Sequence, residues 1–231
     1  MEPFGGKLKY FISGGAYLDP FYVKFFRDIG VEIINGYGAT ECSPSLSINR
    51  NYHHRDGSAG LLMPGVEVKI SPEGEVLARG PMVMKGYYKN PEETAKVLRD
   101  GWYATGDLGH VDEDGFLFIN GRIKNLIILS NGENVSPEEL ENKLGICPYI
   151  GEIVVVGGKK GLVAIVYPDK DVVEQSGLDE EATRAEIQKF LDDYNSTQPT
   201  YRSIVGLVLR DKPFERSSTK KIKRDLVFYE E

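Results

Sequence analysis

A chain of 231 residues with 41% hydrophobic and 27% charged residues can build one large core or two small ones, as a soluble globular protein does. A formal net charge of −7 argues against general affinity for nucleic acid. Cys42 and Cys147 are too few for a disulfide framework and lack metal-ligand spacing. No apolar run approaches the roughly 18 residues of a membrane span and no signal-like N-terminus stands out, so a reducing, cytoplasmic compartment is expected.

Residues 8–12 predict a buried strand that runs into Ser13-Gly14-Gly15-Ala16. Asp19-Pro20 opens a predicted helix over 21–29, with proline in the first turn and Gly30 past its end. A second strand over 31–34 leads into Asn35-Gly36-Tyr37-Gly38-Ala39-Thr40-Glu41. Strand, helix, strand is a βαβ unit, and both strands are expected to stop in small-residue loops at their carboxyl ends. That edge is where open α/β sheets bind ligands. One such loop would be only a turn; two on one edge, one bearing Tyr, Thr and Glu, point to a ligand.

From 58 to 119 the pattern changes to short strands at 66–70, 74–79 and 116–119 between Gly and Pro turns, with one helix over 91–98. This predicts a small antiparallel sheet or distorted barrel. Asp112 and Asp114 lack the spacing and terminal Glu of a calcium loop, so a β-turn is expected there.

The stretch from 102 to 139 organises the rest. It opens on a Thr105-Gly106-Asp107 turn and passes through the strand at 116–119 into Gly121-Arg122-Ile123-Lys124. A strand over 126–129 and a polar loop over 130–134 then lead to a helix over 138–144, with Ser136 as its cap and Glu139 at the capping-box position. Asp107 and Arg122 bracket a hairpin-like unit, so an acid and a guanidinium can converge on one polar ligand. A diol such as a ribose suits them, because a carboxylate accepts hydrogen bonds from both hydroxyls. The plainer alternative is two solvated turns. Strands over 153–156 and 162–167, a charged helix over 179–194 and a strand over 204–209 follow. The basic stretch over 214–224 reads either as a solvated tail or as a phosphate-facing loop. Net acidity and the lack of interleaved aromatics speak against nucleic acid as its partner.

Six segments, at 13–16, 35–41, 74–94, 101–109, 121–141 and 218–224, resemble in this order the successive signatures of the adenylate-forming superfamily. That group comprises acyl-CoA synthetases, luciferases and peptide-synthetase adenylation domains. Each segment is moderately specific; six in family order are highly specific, and they span nearly the whole chain. Lys124 and the ending Thr219-Lys220-Lys221-Ile222-Lys223-Arg224 are most similar to the long-chain fatty acyl-CoA synthetase branch.

The resemblance implies a partial α/β subdomain over 1–57, a β-barrel-like subdomain over 58–122 and a mobile α+β C-terminal domain over 123–231. It also implies roles. Gly14, Gly15 and Ala16 line the adenine and acyl side of the pocket, and Asn35, Gly36 and Tyr37 contact adenine. Thr40 bonds a phosphate, Glu41 helps hold Mg²⁺, and Asp107 with Arg122 binds the ribose. Lys124 is the hinge, and Lys221 reaches the α-phosphate and the acyl carboxylate. The implied reaction joins a fatty acid to ATP as acyl-adenylate and then to coenzyme A as thioester. Two departures stand out: Lys220 replaces the family's usual glycine, and the Ser/Thr/Gly-rich phosphate loop has no counterpart here. The chain therefore resembles the C-terminal half of such an enzyme and is expected to turn over little alone. Its expected partner is the missing N-terminal half, docking on an exposed apolar face around Phe11, Phe21, Phe25 and Phe26. No transmembrane segment is expected, and peripheral membrane contact stays open. The alternatives are an aryl- or medium-chain acyl-CoA ligase, a peptide-synthetase adenylation domain, or a non-catalytic half that pairs with a separately encoded one.

Overall fold

In the computed structural model, which describes residues 5–218 and 220–229, the chain divides between Lys124 and Asn125 into two units. The first begins with β1 (Tyr10–Ser13), α1 (Pro20–Asp28) and β2 (Glu32–Gly38), and its two strands lie parallel with Ser13 opposite Asn35. Asp19 caps α1 by accepting the Phe21 N–H at 2.7 Å. Then come β3 (Ser45–Ile48), β4 (Gly60–Leu62), β5 (Glu67–Ile70), β6 (Glu75–Arg79), α2 (Pro91–Val97), β7 (Leu98–Arg99), β8 (Trp102–Val111) and β9 (Phe116–Arg122). One open sheet runs through the unit in the order β1-β2-β3-β4-β9-β8-β6-β5, with β7 added on β8. Antiparallel short strands form its larger part, and the sheet does not close into a barrel.

Two local expectations are corrected. β2 does not stop at Ile34 but continues through Asn35-Gly36-Tyr37-Gly38, because β3 pairs with it there. The glycines serve that close approach rather than a turn: a Cβ on Gly38 would lie 1.8 Å from the Pro44 carbonyl oxygen. Thr105-Gly106-Asp107 is likewise not a turn but lies inside the ten-residue strand β8. At 112–115, by contrast, a hairpin turn does form, closed by Gly115 N–H on the Asp112 carbonyl at 3.0 Å. Its carboxylates, Asp112 and Asp114, grip the Arg55 guanidinium. Of the expected apolar face, Phe21 and Phe25 are exposed together with Ile12, Tyr17 and Ile29, whereas Phe11 and Phe26 are half-buried.

The second unit contains β10 (Ile127–Ile128), β11 (Asn134–Val135), α3 (Pro137–Leu144), β12 (Ile150–Gly158), β13 (Gly161–Pro168), α4 (Lys170–Ser176), α5 (Glu180–Ser196) and β14 (Ile204–Leu209). β12 and β13 are antiparallel, and β13 pairs with β14 in parallel after the α4–α5 crossover. β13 is buried on both faces, which explains its unbroken apolar run. Leu162, Ala164 and Val166 join Leu140, Leu144, Ile187 and Leu191 in one core. On the other face Val154 and Ile165 meet Phe214, Ile222 and Val227 from the end of the chain. The expected strand over 126–129 is reduced to Ile127–Ile128. The expected capping box on α3 is absent. Ser136 Oγ donates to Glu138 at 3.2 Å, and Glu139 instead bridges Lys143 and Arg202.

Candidate active site

Asp107 owes its position to a bulge. Glu75 faces Leu108 across β6 and β8, yet Leu77 faces Ala104, so Thr105, Gly106 and Asp107 crowd opposite Val76. Gly106 takes a φ of 72°, a left-handed conformation that glycine adopts without a Cβ clash. Side chains recover the displaced ladder bonds. Thr105 Oγ1 donates to the Val76 carbonyl at 2.7 Å and accepts the Asp107 N–H at 3.0 Å. Glu75 Oε1 accepts the Gly106 N–H at 2.8 Å.

Beyond the bulge Asp107 sits opposite Arg122 on β9, so the convergence expected from their spacing is present. Arg122 Nε donates to Asp107 Oδ1 at 2.7 Å and the Tyr37 hydroxyl donates to Oδ2 at 2.5 Å. Burial, and then the Asp107 charge, push the Tyr37 phenol far above its ordinary value, so it stays a donor. Burial pulls the Arg122 pKa down, but the Asp107 charge overrides it and keeps the guanidinium cationic. Each oxygen of the buried Asp107 carboxylate has thus one partner and one further lone-pair position, which is the acceptor arrangement a vicinal diol requires. Tyr37 shares its surroundings with Cys42, Leu46, Ala78 and Tyr103.

Neighbouring strands bring the other first-unit candidates together. The exposed loop Gly14-Gly15-Ala16 leaves β1 beside β2, where a Cβ on Gly14 would lie 3.4 Å from the Gly36 carbonyl oxygen. The Asn35 side-chain amide donates to the Ser58 carbonyl at 3.3 Å. Thr40 and Glu41 form a short turn after β2, with Thr40 exposed. The Glu41 carboxylate accepts the Tyr87 hydroxyl at 2.8 Å, and its main-chain carbonyl accepts the Met84 N–H at 2.7 Å. A magnesium ion typically takes one or two carboxylates and completes its shell with substrate phosphates and water, and Glu41 beside the Thr40 hydroxyl fits that donor set. Among the described residues no group of three His, Cys, Asp or Glu side chains could cage a metal by itself. Lys124 is the final residue of the first unit, within the short helical turn Ile123–Asn125.

Lys221 belongs to the second unit. The basic run is an ordered hairpin, with Arg216 bridged to Ile222 and Ser217 N–H on the Lys221 carbonyl at 2.8 Å; Thr219 lies outside the described residues. Arg216 ties the tip to the unit, donating to the Lys220 carbonyl at 2.6 Å and to Glu152 at 2.7 Å. Arg224 pairs with Glu141. Both arginines are thereby committed, and Lys221 is left exposed on the hairpin. Lys220 has a φ of 62°, the left-handed region, which gives the family's glycine at this position its physical reason. The partners of Glu75, Thr105, Tyr87 and Arg216 escape a reading of the sequence, because strand pairing and loop closure set them.

A buried carboxylate held by a guanidinium and a phenol, near the carboxyl edge of a parallel strand pair, lies where open α/β proteins bind ligands. Within that class the chain belongs to the AMP-binding enzyme family. Residues 2–88 match the model of the AMP-binding enzyme and residues 124–230 that of the AMP-binding enzyme C-terminal domain. The long-chain-fatty-acid–CoA ligase FadD15 of Mycobacterium bovis is 40% identical over 171 residues, 74% of this chain and 28% of that protein. Long chain acyl-CoA synthetase 2 of Arabidopsis thaliana is 34% identical, over 98% of this chain and 38% of its own length. The chain therefore spans about a third of these relatives. Among solved structures it is similar to the anthranilate CoA ligase AuaEII in complex with anthranoyl-AMP (TM-score 0.80, 25% identity, 94% of this chain and 43% of that one). It is also similar to o-succinylbenzoate CoA synthetase MenE of Bacillus subtilis in complex with ATP and magnesium (TM-score 0.77, 28% identity, 94% and 46%).

Proposed function

We propose that this chain is the C-terminal portion of an ATP-dependent fatty acid–CoA ligase. The observation that carries the reading is Asp107, buried, held by Arg122 and Tyr37, and open for one hydrogen bond at each oxygen. It accepts the two ribose hydroxyls of ATP, with the adenine beside Gly14, Gly15, Ala16, Asn35, Gly36 and Tyr37. Thr40 donates to a phosphate and Glu41 holds the magnesium ion, which neutralises phosphate charge when bound. Lys221 on its hairpin draws the acyl carboxylate and the α-phosphate together, a task for a preorganised cation because two anions must meet. The carboxylate oxygen forms a bond to the α-phosphorus as the bond to pyrophosphate breaks. The second unit then turns about Lys124, and the thiol of coenzyme A displaces AMP from the acyl carbon.

The relatives named as long-chain ligases support a long-chain acid, and the similarity to anthranilate and o-succinylbenzoate ligases makes an aryl acid the second reading. The share of the relatives that the chain spans supports an N-terminal half supplying the phosphate-binding loop and acyl tunnel. Free, buried Cys42 and Cys147 agree with a cytoplasmic setting, and no helix among the described residues is long and apolar enough to cross a membrane. ATP–pyrophosphate exchange tests the reading. The isolated chain is expected to give none, and the same chain preceded by its N-terminal half is expected to exchange with palmitate and not with benzoate. Exchange by the isolated chain would refute the need for a second half. Exchange with benzoate alone would replace the fatty acid by an aryl one.

A further inference from the structure

We propose that Glu75 is a positioning residue for the diol acceptor, acting on Asp107 through the Gly106 peptide; the inference rests on the adenosine reading above. The bulge in β8 takes two backbone groups out of the regular ladder, the Val76 carbonyl and the Gly106 N–H. The first is recovered by Thr105, on the bulged segment itself, at 2.7 Å. The second is recovered from the neighbouring strand, by Glu75 Oε1 at 2.8 Å. Glu75 is a fixed platform for this bond. Its N–H reaches Ser71 Oγ at 3.1 Å, and its carbonyl accepts the Ser71 N–H at 2.9 Å. On the far side of the bulge Gly109 N–H closes on the Gly74 carbonyl at 3.0 Å. Ser71 and Gly74, in the turn that leads into β6, are thus tied to Glu75 and to Gly109, and the Glu75 carboxylate holds Gly106, the left-handed apex of the bulge.

Gly106 directly precedes Asp107, so its backbone sets the direction in which the Asp107 side chain leaves the strand. Successive side chains of a strand point to opposite faces, and a slip of one residue would carry Asp107 away from both Arg122 and Tyr37. Without an acceptor at Gly106 the strand regains a hydrogen bond by slipping toward a regular ladder. Glu75 therefore holds the nucleotide site in register without being placed to touch the nucleotide. A Gln at 75 keeps an oxygen acceptor at the same reach, whereas an Asp is one methylene short and a Leu has no acceptor at all.

Calorimetry on the 231-residue chain with AMP and with 2′,3′-dideoxy-AMP separates this role from general stability. The wild-type chain and Glu75→Gln are expected to favour AMP by about tenfold or more, as loss of hydrogen bonds to a charged acceptor predicts. Glu75→Leu and Glu75→Asp are expected to bind the two nucleotides within about twofold of each other, with dideoxy-AMP affinity unchanged. A variant that is merely less folded loses both affinities in proportion and keeps the ratio. Hydrogen exchange gives a second reading that holds even where Glu75→Leu fails to fold. The Gly106 amide is expected to be protected in the wild type and Glu75→Gln, and at least about tenfold faster in Glu75→Asp. Full discrimination in folded Glu75→Asp, or rapid Gly106 exchange in the wild type, overturns the role of Glu75 alone. Equal binding of the two nucleotides by the wild type overturns the diol reading and this role with it.

Discussion

Replacing Asp107 by Asn keeps the shape of the side chain and changes its hydrogen-bonding inventory. The carboxylate uses one position for Arg122 Nε and one for the Tyr37 hydroxyl, on different oxygens, and offers the remaining two to a diol. An amide has one oxygen. With that oxygen on Arg122, the Tyr37 hydroxyl can rotate and accept from the new NH₂, so the interior tolerates the change. The stability loss is then mainly the charge on the Arg122 pair, whose arginine side chain is 45% exposed, and amounts to roughly 1–2 kcal/mol. The ligand fares worse, because one hydroxyl now faces a donor and the other a neutral acceptor. Two weakened charge-assisted bonds are worth about 2–3 kcal/mol, or roughly a 30- to 150-fold loss of AMP affinity. Calorimetry with AMP, alongside urea denaturation, measures both effects. A folded Asp107→Asn chain that binds AMP within about threefold of the wild type would refute the assignment of Asp107 as the diol acceptor.

Lys220→Gly should stabilise the second unit by about 0.5–1 kcal/mol, since glycine removes the left-handed penalty at φ 62° but adds unfolded-state entropy; a lower melting temperature would contradict this. Gly38→Ala should cost at least about 3 kcal/mol, because the new methyl would meet main-chain atoms of Pro44 and Ser45 that cannot give way, and a urea midpoint near the wild-type value would speak against it. Burial pushes the Glu141 carboxyl up to about 7 against the pull of Arg224, whereas Glu139, despite its own burial, is held below its ordinary value by Lys143 and Arg202. The signs are opposite. The Glu141 contribution is complete below about pH 4.5 and is lost as pH rises toward 7, while the Glu139 contribution is present at neutral pH and lost in acid. Denaturation at several pH values should show Glu141→Gln removing the first decline and Glu139→Gln the second; unchanged slopes would mean that other groups set the profile.

Local signals in the sequence were enough for the βαβ order of the opening, for the helix that Asp19-Pro20 starts, expected over 21–29 and found over Pro20–Asp28, for the strand over Ile204–Leu209 and for the pairing of Asp107 with Arg122. Those features depend on residues close in the chain or on one hairpin. The first strand, expected buried over 8–12, is instead Tyr10–Ser13 and half exposed. Motif order was enough for the family, because six short segments in sequence constrain a fold more than any one of them does. What the sequence could not disclose is where backbone groups find partners across strands. Gly36 and Gly38 look like turn formers until β3 lies against them, and Gly106 looks like a turn until β6 pairs on both sides of it. Glu75 and Thr105 are unremarkable in a strand pattern, and only the bulge gives them backbone groups to satisfy. Lys220 reads as an ordinary lysine, and only the closed hairpin, tied down by Arg216 to Glu152 sixty-four residues away, demands its left-handed backbone. Propensity and motif are properties of neighbouring residues, whereas hydrogen-bond satisfaction is a property of the whole sheet.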